Sequence, residues 1–127
     1  MAVVPIAKGL SLCDSYQRSS NGKIDLFGLF NAIRPEFGYP VALSHWWVFS
    51  QLNNGLGTLT FFIDVRDASR GHLIYTTEVR SLTFPDRDTL IQLAIKIEEC
   101  QFPEPGVYVV ELFCDNTWVC DTRLQLL

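Results

Sequence analysis

Two histidines, His45 and His72, four cysteines, Cys13, Cys100, Cys114 and Cys120, and the close aspartate pairs Asp64/Asp67 and Asp86/Asp88 are the residues from which this chain could build a reactive centre. A nucleophilic centre needs a Cys or Ser beside a His base. His45 stands between Ser44 and Trp46-Trp47 in a strongly apolar stretch, where a buried or interfacial imidazole is expected. His72 follows Gly71 at a strand start and reads as surface. A zinc site would show Cys-x-x-Cys pairs or histidines spaced with the cysteines, and neither occurs. The cysteines read as small buried hydrophobes, kept as reduced thiols in a cytoplasmic protein.

General acid–base work needs two carboxylates converging in a cleft. The aspartate pairs here fall at strand ends and turns, which favour Asp for local reasons. A Ca²⁺ site at a loop rim could draw on Asp14, Asp64, Asp67, Asp86, Asp88 and Asp115. Successive strands reverse direction, however, so these loops divide between opposite rims, and Arg66, Arg70 and Arg87 compete for the same carboxylates. No GxSxG elbow, HExxH, Walker loop or GxGxxG occurs. The expectation is a protein that is not an enzyme and holds no metal and no cofactor.

The elements that carry these residues follow from a period-two hydrophobic pattern broken by turns about every ten residues. In Thr58–Arg66, Leu59, Phe61, Ile63 and Val65 share one face, with Phe62 the exception on the other. In Leu90–Glu99, Ile91, Leu93, Ile95 and Ile97 alternate with Gln92, Ala94, Lys96 and Glu98. Further strands are expected over Ala7–Cys13, Lys23–Ile33, Val41–Leu52, His72–Phe84 and Val107–Cys114, with a loop over Arg34–Pro40. A three-residue turn at Asp115-Asn116-Thr117 would pair Cys114 with Trp118 and Leu112 with Cys120. It gathers Tyr108, Val110, Leu112, Cys114, Trp118, Cys120, Leu124 and Leu126 on one face.

About eight strands and no helix predict a single all-β domain over residues 1–127. The expected form is an antiparallel β-sandwich of immunoglobulin-like or similar Greek-key topology. At 48% hydrophobic residues the chain has material for a core. A formal charge of −4 and ten dispersed basic residues argue against nucleic acid. The N-terminus lacks the pattern of a secretory signal, and no apolar run approaches the roughly 20 residues that span a bilayer. A cytoplasmic protein with no membrane partner is expected.

Two stretches break the alternation. Val41–Leu52 (VALSHWWVFSQL) puts aromatic and aliphatic residues on both faces, as does Lys23–Ile33 (KIDLFGLFNAI). The outer face of these strands is expected to be an apolar interface built on Phe27, Leu29, Trp46 and Trp47. Its partner would be a second copy of the chain, giving a homo-oligomer, or another protein encoded alongside it. The alternative is a small-ligand or carbohydrate module whose Trp and Tyr rings stack on sugars.

Leu12-Cys13-Asp14, Asn21-Gly22-Lys23 with Leu26-Phe27-Gly28-Leu29-Phe30, and Phe102-Pro103-Glu104-Pro105-Gly106-Val107-Tyr108 together resemble a bacterial family of short single-domain β proteins of unknown function. The Pro-Gly-x-Tyr element also resembles a strand start in immunoglobulin-like modules, where the tyrosine packs at a corner. The resemblance implies a fold and transfers no catalytic residue.

Overall fold

A computed structural model describes residues 1–127. It contains no helix and fourteen strands. They are β1 (Ile6–Ala7), β2 (Ser11–Cys13), β3 (Ser15–Arg18), β4 (Ile24–Phe27), β5 (Ala32–Ile33), β6 (Val41–Leu43) and β7 (Trp46–Asn53). There follow β8 (Gly57–Asp67), β9 (Leu73–Thr76), β10 (Arg80–Phe84), β11 (Ile91–Ile97), β12 (Cys100–Phe102), β13 (Gly106–Cys114) and β14 (Thr117–Leu126). The all-β class is the expected one. The strand number is higher because several expected strands are each cut in two.

Each cut has a local cause. Val41–Leu52 divides at Ser44-His45, where His45 takes φ 62°, and Glu99 across the ladder takes φ 54°. The pairing register nevertheless continues through the gap, with Ile97 opposite Trp46 and Cys100 opposite Leu43. Both break residues are exposed, so His45 is neither buried nor in mid-strand as the sequence suggested. Lys23–Ile33 divides at Gly28, whose φ of 66° favours glycine, and where a Cβ would strike the Asp14 carboxylate. His72–Phe84 divides around Thr77. That residue keeps β8 paired by donating its N–H to the Ile63 carbonyl (2.9 Å) and accepting the Ile63 N–H on its hydroxyl (2.9 Å).

One sheet has β7 at its centre, with β1 and β2 on one edge and β11 on the other. The larger sheet runs β10–β8–β13–β14–β5, with β9 continuing the β10 edge and β5 parallel to β14. All other pairings are antiparallel. Both sheets send alternate side chains into one core. Trp46, Val48 and Leu52 come from β7, Leu59, Phe61, Ile63 and Val65 from β8, and Tyr108, Val110, Leu112 and Cys114 from β13. Period-two burial is therefore the cause of the fold, not only its signature.

The last hairpin differs from expectation in an informative way. Its turn has two residues, Asp115 and Asn116, with φ 49° and 60°, the geometry of a type I′ turn. Cys114 thus pairs with Thr117 and Phe113 with Trp118. A bulge at Val119 then restores the expected partners, Leu112 opposite Cys120 and Tyr108 opposite Leu124. The inward face is as expected except for Trp118, which turns outward and is 53% exposed.

All four cysteines are buried and free. Burial pushes the thiols up, Cys100 to about 12 and Cys114 and Cys120 each to about 11, from the ordinary 9.0. Since the unfolded thiols ionise first, the folded state is unaffected by this linkage below pH 9 and loses stability as pH rises toward 12. A urea titration at stepped pH should show that loss. A thiol reagent at pH 8 should label the folded chain far more slowly than the unfolded one. At the β12–β13 turn, the Tyr108 hydroxyl donates to the Glu104 carbonyl at 2.6 Å. Tyr108→Phe should lower unfolding free energy by about 1 kcal/mol in the same assay, with the fold retained.

Candidate functional site

The four residues expected to form an interface lie in different environments. Trp46 is a core residue, 3% exposed, packed edge-on against Phe30 with ring centroids 5.8 Å apart. Its indole Nε1 is buried without a hydrogen-bond partner. Trp47 points to the opposite face but is half covered by Tyr16 of the β3–β4 hairpin, centroids 4.8 Å apart at 81°. That hairpin, and not an outer face left open, covers β7 at this point. Phe27 and Leu29 are open, 47% and 63% exposed, at and just beyond the end of β4. The four do not converge on one patch, because the core takes Trp46 and the hairpin shields Trp47.

The larger sheet instead presents an aromatic row on its outer face. Phe62 of β8 is directly opposite Phe113 of β13, and Phe113 is opposite Trp118 of β14. Phe62 and Phe113 stack at 5.1 Å with planes 9° apart. Residues facing across adjacent strands stand about 5 Å apart at Cβ, so Trp118 extends the stacked pair into an aromatic row across three strands. Sequence alone marks Phe62 as the exception in its strand. Trp118 escapes notice because the two-residue turn, and not the three-residue one expected, sets it opposite Phe113.

Two residues along, the next outward row is acidic: Asp64 faces Glu111, and Glu111 faces Asp121. Arg66 ties the first two, Nη2 to Asp64 Oδ2 at 3.3 Å and Nε to Glu111 Oε1 at 3.1 Å. Asp64 is itself buried, which a carboxylate tolerates only when paired. On the other side of the ridge, Asp115 accepts the Thr60 N–H at 2.9 Å. The ridge is thus apolar at its centre and acidic on both flanks. Arg66→Met should lower stability by about 1 kcal/mol in urea unfolding, because it leaves Asp64 and Glu111 facing each other unpaired.

The remaining candidate chemistry is engaged in local structure. Asp67 accepts from the Ser69 N–H and hydroxyl, both at 2.8 Å, and these bonds hold its carboxyl below the usual range. Asp86 caps its turn through the Asp88 N–H at 2.9 Å and the Thr89 hydroxyl at 3.0 Å. No three His, Cys, Asp or Glu residues are grouped to hold a metal ion. His45 and His72 are both exposed, each on a different segment from the buried cysteines. No helix is long and apolar enough to cross a membrane.

No protein of curated function matches the chain. A protein family does match, over residues 8–127, which take in every strand from β2 to β14, both faces of the larger sheet and the aromatic row. The chain belongs to the family described as "Family of unknown function (DUF6941)".

Proposed function

We propose that this chain is a non-enzymatic binding domain, an immunoglobulin-like β-sandwich that docks another protein on the outer face of its larger sheet. The fold reading is supported by strand distribution. β1/β2, β7 and β11 lie in one sheet, β10, β8, β13 and β14 in the other, and the chain passes between sheets at β7–β8, β10–β11 and on to β13. The bond from Tyr108 to the Glu104 carbonyl four residues upstream is the pattern of a tyrosine corner. The chain has no inter-sheet disulfide, so its core relies on packing alone.

The docking reading rests on one observation: Phe62, Phe113 and Trp118 share one row on the outer face of the larger sheet, the two phenylalanines half-exposed and Trp118 exposed. Aromatic side chains at the centre of a patch, ringed by polar residues, are the usual energetic anchors of interfaces. The flanking acids define the partner's chemistry. Asp64, Glu111, Asp121 and Asp115 border the ridge; Arg66 answers the first two, and Arg123 stands one outward row beyond Asp121. A second copy would bring two acidic rims together, so the fitting partner is a different protein with an apolar centre and a basic rim.

The carbohydrate alternative needs open ring faces. Phe62 and Phe113 each turn one face to the other, and of the three rings Trp118 is the exposed one. For the docking reading, immobilised wild-type chain and a Trp118→Asp variant are compared as bait for proteins of the source cell. Trp118 is exposed, so the variant should fold with an unchanged melting temperature. The reading predicts a basic protein retained by the wild type and lost at least tenfold with the variant, and a wild-type chain that sediments alone as a monomer. Equal retention by both baits, or dimerisation abolished by Trp118→Asp, would overturn it.

A further inference from the structure

We propose that the cleft between the β3–β4 hairpin and the adjoining ends of β7 and β11 binds a small organic anion, a carboxylate or phosphate on a short apolar body. This site is separate from the aromatic ridge and lies against the other sheet. Its wall carries Lys8 and Arg18, its polar lining is Gln51, Asn53 and Gln92, and Leu52, Leu90 and Ile91 supply the apolar part. No acidic residue lines it. At about 410 Å³ it has the size of a small-molecule pocket.

The charge of the lining opposes that of the chain, which carries a formal −4. Arg66, Arg70, Arg80 and Lys96 each lie within 4 Å of a carboxylate. Lys8 and Arg18 are among the basic residues that form no such pair, and the two line this one cleft. Arg18 Nη1 donates instead to Gln92 Oε1 at 2.8 Å, across 74 residues of sequence. That bond anchors a permanent cation at the cleft and leaves the rest of its guanidinium fork for an oxyanion. A concave site walled by low-dielectric protein focuses the two positive charges on whatever enters.

The apolar lining adds a second requirement. An inorganic anion would satisfy Lys8 and Arg18 but leave Leu90, 76% exposed, and Ile91 without cover. A short hydrocarbon attached to the anion would bury them. A neighbouring groove shares Lys8 and Gln51 and runs past Ser11 toward Phe49, which gives such a body a direction in which to lie.

Backbone NMR titrations with hexanoate, hexyl phosphate, inorganic phosphate and hexylammonium test the site. Saturating shifts are expected for hexanoate, hexyl phosphate or both, centred on residues 51–53 and 90–92, with hexylammonium inert. Lys8→Gln and Arg18→Gln should each weaken binding about tenfold or more, and Arg18→Lys should retain part of it. Both positions are exposed, and an unchanged spectrum away from the cleft verifies that each variant is folded. The proposal is overturned if hexylammonium shifts the same amides equally. It also fails if none of the anions saturates in the millimolar range, or if the Lys8→Gln/Arg18→Gln double variant binds like the wild type. Inorganic phosphate binding as tightly as hexyl phosphate would overturn the assignment of an apolar body.

Discussion

The placement of β13 between β8 and β14 is the constraint on which the molecule rests. One register fixes two surfaces at once, because successive side chains on a strand point to opposite faces. Tyr108, Val110, Leu112 and Cys114 go inward, beside those of β8, into the core shared with the β7 sheet. Glu111 and Phe113 go outward and meet their counterparts from β8 and β14. A slip of one residue would bury Glu111 and expose Leu112, so the core enforces the composition of the outer face as strictly as it enforces its own.

The type I′ turn at Asp115-Asn116 and the bulge at Val119 act within that constraint. The turn alone would carry a clean two-residue register down β14 and place Cys120, Leu124 and Leu126 outside. The bulge returns them to the core at the cost of one unpaired residue, while Trp118, on the turn side of it, keeps the outward position beside Phe113 that the turn sets. Bulges commonly re-aim a side chain next to a functional surface. The aromatic ridge and the acidic row beside it are therefore both consequences of how the last hairpin closes.

Much of this was legible in the residues. Alternation located the strands around Thr58–Arg66, Leu90–Glu99 and Val107–Cys114 to within a residue or two, since each has one buried and one wet face. The strands with apolar residues on both faces were harder to read. Their breaks depend on positive φ at His45 and Glu99, residue types for which nothing local demands that conformation, and on a tertiary contact between Gly28 and Asp14. The covering of Trp47 by Tyr16 is also a tertiary fact, set by a hairpin that folds back over its own sheet. Trp118 was placed inward because a three-residue turn and a two-residue turn followed by a bulge give the same partners from Leu112 onward. Only the residues nearest the turn distinguish them.

The account makes the outer face of β8, β13 and β14 the contact surface, in preference to the exposed end of β4. The most direct measurement is site-specific photocrosslinking in the source cell, with a benzophenone side chain placed at Trp118 in one chain and at Phe27 in another. The prediction is a discrete adduct with one basic protein from position 118 and none from position 27. An adduct from position 27 with position 118 silent would contradict the account.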